Sequence, residues 1–342
     1  MTETILLAHG SGGRLSHDLV RDVFARRFAN PLLDELDDAV VFPLPAEGGR
    51  LAFTTDSYVV QPLFFPGGDI GKLAVCGTVN DLSMRGAVPR YLSAGFIIEE
   101  GFPLADLERV VDSMARTAQE AGVAIVAGDT KIVNRGAADK LFINTAGVGL
   151  VPAGVDVGAN RVPPGDAVLV SGPVGDHGMA IMTQREGLRF QSPLISDCAP
   201  LNGLVAAMLA AAPGAATGAV HCLRDATRGG LATVLVEVAD SSQVGIEVVE
   251  TVIPVREPVR AACELLGLDP LYVANEGTLA AFVAPDAAEA VLAAMRAHPH
   301  GRKAVRIGQT MSEHPGRVAL RTALGVRRVL DMLTGEQLPR IC

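Results

Sequence analysis

The sequence predicts an α+β protein of two mixed domains with a short C-terminal tail. Three observations predict it. Helical and strand patterns occur in both halves with strand-after-strand runs, not in the strict alternation of a doubly wound sheet. Pro152, Pro163, Pro164 and Gly165 cluster between the halves, as a linker would. The 342 residues suffice for two sizeable cores. The domains expected are residues 1–155, residues 156–333, and a tail over residues 334–342.

The N-terminal half opens on a polar glycine loop, His9-Gly10-Ser11-Gly12-Gly13-Arg14, followed by a helix from Ser16 to Phe28. Leu51 to Thr55 reads as a strand ending at Asp56. Asp69 can cap a helix over 70–85, which Gly86 and Pro89 stop. Tyr91 to Ile98 is a strand pattern. Over 104–120, Leu107, Val110, Val111 and Met114 recur at helical spacing. Val123 to Val126 reads as a short buried strand running into Gly128-Asp129-Thr130-Lys131, and Leu141 to Leu150 as the strand that closes this half.

In the second half, strands are expected at 167–171, 245–249, 271–274, 278–283 and 304–309. Helices are expected at 176–185, 200–211, 229–240, 256–266 and 286–297. An apolar segment from Arg317 to Leu333 leads into the tail.

Composition narrows the function. Hydrophobic residues are 49% and charged residues 20%, so the chain packs rather than staying disordered. The net charge of −9 argues against nonspecific nucleic-acid and anionic-membrane partners. It leaves a nucleotide site open, since Mg²⁺ inverts the local field. Five cysteines with no C-x-x-C pair argue against a zinc ribbon or a disulfide framework. With no signal-peptide pattern at the start and no apolar run of about 18 residues, the expected location is the reducing cytoplasm.

The candidate chemistry is dispersed. Gly10, Ser11, Gly12 and Gly13 would let backbone N–H groups close on phosphate oxygens, because no Cβ blocks the approach. Gly67 to Leu73 is not a P-loop: it is one residue short, and Leu73 stands where a hydroxyl would hold Mg²⁺. Asp38, Asp56, Asp81, Asp129 and Asp225 lie near glycines or strand ends, where carboxylates can converge on Mg²⁺ or can simply cap and turn the chain. Asn80 and Asp81 sit inside an apolar helix pattern. Each unpaired polar group there would cost roughly 1–3 kcal/mol if buried, which a ligand or a local cap would explain. Lys131, after a buried strand, suits a phosphate. Glu276, at a turn between apolar runs, suits a general base. Arg228 precedes Gly229-Gly230, a helix start that offers N–H groups to an anion. Finally, Cys342 ends the chain as Pro339-Arg340-Ile341-Cys342. The eleven residues from Met332 could span roughly 35 Å, enough to carry a group between sites.

Taken together, His9 to Arg14, Thr54-Thr55-Asp56-Ser57, the run Val79 to Pro89, Ala127 to Lys131 and Asp225 to Gly230 resemble the ATP-binding superfamily of aminoimidazole ribonucleotide synthetase and selenophosphate synthetase. The ending P-R-I-C and the segment around Glu276 resemble its hydrogenase-maturation carbamoyl dehydratases. That resemblance covers nearly the whole chain. It implies two α+β domains, N-terminal sheets paired in a homodimer, and ATP under the glycine loop. It further implies Mg²⁺ on Asp38, Asp56, Asp81 and Asp129, with Asn80, Asp225 and Arg228 also lining the nucleotide site. Lys131 and Glu276 match positions tied to dehydration. Cys342 would be carbamoylated by a separate carbamoyltransferase, HypF. It would then be dehydrated to a thiocyanate, the cyanide passing to iron on a complex of HypC and HypD. The alternatives are a sister kinase or synthetase acting on a small substrate, and a nucleotide-gated scaffold without chemistry.

Overall fold

A computed structural model describes residues 4–6, 19–30, 50–188, 190, 194–212, 218–332 and 341–342. Gly10 to Gly13 and Asp38 lie outside these residues. The first half is built on a four-stranded sheet. Its strands are β1 (Arg50–Tyr58), β2 (Val88–Glu99), β3 (Ala124–Val133) and β4 (Leu141–Val151), in the order β1-β4-β2-β3. β2 and β3 are parallel; the other pairings are antiparallel.

Two helices cover one face, α1 (Ile70–Met84) and α2 (Leu104–Ala121). Asp69 caps α1 by accepting from the Gly71 and Lys72 N–H groups at 2.8 and 3.1 Å. α2 ends where Gly122 takes a left-handed conformation. Leu107, Val110, Val111 and Met114 on α2 join Leu92, Phe96, Ile98 and Ile143 of the sheet in one core. The opposite sheet face is bare: Leu51 is 54% exposed and Phe53 71%.

α1 is buried almost all round. An apolar stripe would suffice for a surface helix, and burial on every side explains why its pattern is nearly continuous. It lies between its own sheet and the second half of the chain.

That second half holds a seven-stranded sheet. Its strands are β5 (Ala167–Val170), β6 (Val220–Asp225), β7 (Gly245–Val249), β8 (Leu279–Val283), β9 (Val305–Met311), β10 (Val318–Arg321) and β11 (Arg327–Leu330), in the order β11-β10-β7-β9-β5-β8-β6. Its helices, among the described residues, are α3 (Asp176–Arg185), α4 (Asn202–Ala211), α5 (Gly230–Ser242), α6 (Glu257–Leu266) and α7 (Ala288–Ala297). The central strands are covered on both faces. Val168, Val170, Ala280 and Phe282 pack against α5, while Leu169, Leu279, Ala281 and Val283 pack with α4 and α7. Double burial is why these strands read as unbroken apolar runs.

Two expectations change. The strand expected at 271–274 is instead a 3₁₀ turn, Pro270–Tyr272, because Asp269 accepts from the Leu271 N–H and Pro270 cannot donate to a ladder. The segment from Arg317 is the hairpin of β10 and β11.

Candidate active site

The last two residues of the chain are inside the protein. Ile341 is 3% exposed and belongs to the core shared by the two halves. Its carbonyl accepts from His177 Nε2 at 2.7 Å. The Cys342 carbonyl accepts from the Val59 N–H at 3.2 Å. The Arg228 guanidinium is the cation that acts on the Cys342 sulfur. Burial pushes the Cys342 thiol up to about 12, Glu276 adds to the rise, and Arg228 opposes it. A thiol in that range is not a free nucleophile near neutral pH. Docked here, the sulfur suits a carrier presenting a group already attached.

Glu276 lies just beyond the 3₁₀ turn, before β8, and is 3% exposed. The main chain around it fixes its position. Its N–H and that of Gly277 donate to the two carboxylate oxygens of Asp197 at 3.1 and 3.0 Å. A Cβ on Gly277 would fall 1.8 Å from the Asp197 carbonyl oxygen, so only glycine permits this approach. Burial pushes the Glu276 carboxyl well above its usual range, and Cys198, Asp225, Asp197 and Asp56 push it further.

Asn80 is engaged by backbone at both ends of its amide. Its Nδ2 donates to the Ala199 and Glu276 carbonyls at 3.1 and 3.4 Å, and its Oδ1 accepts from the Leu201 N–H at 2.8 Å. These partners are all backbone groups. It ties α1 to the 199–201 segment and the Glu276 turn.

Asp56, Asp81 and Asp225 lie in the same neighbourhood. Asp56 shares the inner side of β1 with Thr54 and buried Tyr58, since strand residues two apart share a face. Thr54 Oγ1 donates to Asp81 Oδ2 at 2.9 Å. Burial raises the Asp81 carboxyl, Thr54 lowers it, and Asp56 raises it again. Asp225 is pushed up to about 7, first by burial and then by Asp81.

The folded chain thus keeps the Asp225 proton to about pH 7, while the unfolded chain releases it near pH 4. The associated stability is fully present below about pH 4 and is lost as pH rises through 7. Without nucleotide or Mg²⁺, Asp225→Asn is expected to stabilise the protein by on the order of 2 kcal/mol at pH 8 and to leave it nearly unchanged at pH 4. Thermal unfolding at the two pH values checks this.

Asp129 and Lys131 lie elsewhere. They pair in register with Gly95 and Ile97, on the exposed face of the first sheet, and form an exposed ion pair of 3.3 Å. Within one chain they point away from α1, Asp81 and Glu276.

The five cysteines are free. Sequence reasoning did not find Asp197, Ser196 or His177. They come from a segment without periodicity and from a helix start, and no pattern marked them.

Residues 36–151 match the AIR synthase related protein, N-terminal domain, and residues 163–321 match its C-terminal domain. The chain is 55% identical to carbamoyl dehydratase HypE of Azotobacter vinelandii, over 99% of this chain and 97% of that one. The chain belongs to the HypE branch of the AIR synthase related proteins. A crystal structure of hydrogenase maturation protein HypE in complex with ATP is 54% identical, with a TM-score of 0.94 over 99% of this chain and 100% of that one. HypE in a HypE–HypF complex is 48% identical, with a TM-score of 0.80 over 92% of this chain and 99% of that one. Two AIR-synthase-type domains are the fold that the sequence led us to expect.

Proposed function

We propose that this chain is an ATP-dependent carbamoyl dehydratase acting on its own C-terminus, converting an S-carbamoyl Cys342 into an S-cyano Cys342 for hydrogenase maturation. One observation carries the reading. The last residues of the chain are docked in the core, where the Cys342 thiol feels the charges of the buried Glu276 carboxyl and the Arg228 guanidinium.

Loss of water from a thiocarbamate requires the carbonyl oxygen to become a leaving group and the nitrogen to lose its protons. ATP, when bound with Mg²⁺, supplies the phosphoryl group that makes that oxygen leave. Glu276 takes one proton from the carbamoyl nitrogen, and the second leaves with the departing phosphate; its raised pKa makes Glu276 a stronger base than an exposed carboxylate. The Arg228 charge favours an electron-rich sulfur. The buried surroundings keep water from the activated group.

The site fits a divalent cation. Asp56 and Asp81 are hard oxygen donors, and positive charge would offset the burial and, secondarily, the Asp56 charge that lift Asp81. Among the described residues no three such groups stand close enough to hold a metal unaided, so Mg²⁺ would also need phosphate oxygens, with Asp38 as a further ligand. Gly10 to Gly13 would cover the nucleotide, with Asp225 and Arg228 beside it.

The bare face of the first sheet suits a homodimer, with Leu51 and Phe53 as its apolar contacts. Asp129 and Lys131 would then serve the partner subunit's nucleotide, which accounts for their facing away from their own Glu276. HypF as carbamoyl donor, a HypC–HypD complex as cyanide acceptor and the cytoplasm as location complete the proposal. Among the described residues no helix is long and apolar enough to cross a membrane.

Intact-protein mass spectrometry tests the reaction. The carbamoylated full chain is expected to lose the mass of one water on addition of Mg-ATP. A nucleotide-gated scaffold would leave the mass unchanged.

A further inference from the structure

A carrier arm must stop at one place for its cargo to meet a base, and Cys342 is held through its main chain by the Val59 N–H. The residue before it is better held. The Ile341 side chain is buried among Met179, Ala180 and other core residues, and its carbonyl faces His177 Nε2 at 2.7 Å. A carbonyl only accepts, so Nε2 carries the hydrogen. In the neutral ring Nδ1 then accepts, and its neighbour at 2.8 Å is the Ser196 hydroxyl. Ser196 Oγ in turn accepts from the Cys198 N–H at 3.1 Å, which leaves its own hydrogen free to point at the ring. The Ile341 carbonyl thereby fixes the tautomer, and Ser196, which can donate to Nδ1, accommodates it.

The ring is fully buried, with Phe65 packed edge-on at 5.5 Å. Its helix is fastened to the segment that carries the base. The Gly178 N–H donates to the Ala274 carbonyl at 3.0 Å, and the Gly175 N–H donates to Asn275 Oδ1 at 2.7 Å. Glu276 follows directly. The ring and the carboxyl therefore move as one frame.

We propose that His177 is the positioning residue that docks the C-terminal arm: its Nε2–H holds the Ile341 carbonyl while the Ile341 side chain seats in the core, and together they stop the sulfur of Cys342 beside Glu276. The inference rests on reading Cys342 as the carrier thiol. The latch grips main chain and an isoleucine, not the group on sulfur. It therefore holds the thiol, the thiocarbamate and the thiocyanate alike, and docking does not depend on the stage of the reaction.

The test is the alkylation rate of Cys342 by iodoacetamide in the full-length protein, followed by peptide mass spectrometry. The other four cysteines are buried, so this thiol dominates labelling. His177→Leu, which cannot donate, is expected to alkylate about tenfold faster, the factor that loss of one buried hydrogen bond gives. His177→Gln keeps a donor and is expected to stay within about threefold of the parent. Single-turnover dehydration in His177→Leu should slow by the same tenfold factor, with ATP affinity unchanged. A folded His177→Leu that alkylates at the parent rate overturns the proposal, and so does a His177→Gln as reactive as His177→Leu. If His177→Leu does not fold, Ile341→Ser decides, because it alters the arm alone: faster labelling supports the latch and parent-rate labelling overturns it. Alkylation needs neither ATP nor a carbamoyl group. Normal docking with no dehydration would thus sink the enzymatic reading and leave the latch standing.

Discussion

Cys342→Ala is expected to abolish formation of the cyano product while leaving ATP affinity within about threefold of the parent. The substitution removes only the sulfur. The Val59 N–H still finds the carbonyl of residue 342, and His177 still holds that of Ile341, so the arm docks as before. No other cysteine can substitute. Cys76, Cys198, Cys222 and Cys263 are all buried, and a carbamoyl donor on another protein cannot reach them. The measurement is intact mass after treatment with the carbamoyl donor, with and without Mg-ATP, beside a nucleotide-binding titration on the same sample. A variant that still lost water after carbamoylation would place the cargo on another residue, and the assignment of the terminal thiol would fall.

Such an experiment can be designed from the sequence because Cys342, the aspartates and Glu276 stand out there as candidates, whereas their contacts do not. The amphipathic spacing of Leu107, Val110, Val111 and Met114 marks α2, and its stop at Gly122 follows from the same rules. The apolar runs of β5 and β8 mark strands buried on both faces. Asn80 shows where such reading ends. A polar residue in an apolar helix signals a partner, but the partners are backbone groups more than a hundred residues away, at Ala199, Leu201 and Glu276. The 3₁₀ turn at Pro270–Tyr272 was hidden because a short apolar run fits either a strand or a turn until its cap is known. Asp129 and Lys131 were legible as functional residue types, but the face they occupy depends on register with β2, which local sequence does not encode.

Glu276→Gln is expected to lower single-turnover dehydration by about 10²- to 10⁴-fold, the range for loss of a general base. The amide keeps the shape of the side chain. The contacts of the Glu276 turn with Asp197 and Asn80 run through main chain, so the turn survives. Two further readouts separate lost basicity from lost structure. Only the ionised carboxylate accepts a proton, and burial holds its pKa well above the usual range. The parent rate should therefore climb with pH as Glu276 ionises, whereas the residual Glu276→Gln rate should lack that climb. Stability should move the other way. A carboxyl whose folded pKa is raised costs stability once pH exceeds its unfolded value near 4, and the loss is complete only above the folded pKa. Glu276→Gln removes that cost, so in alkaline buffer without nucleotide it should unfold at a higher temperature than the parent. A variant that is slower yet more stable identifies a strained, functional carboxyl. A variant that kept the parent rate at saturating ATP would show that another group takes the proton.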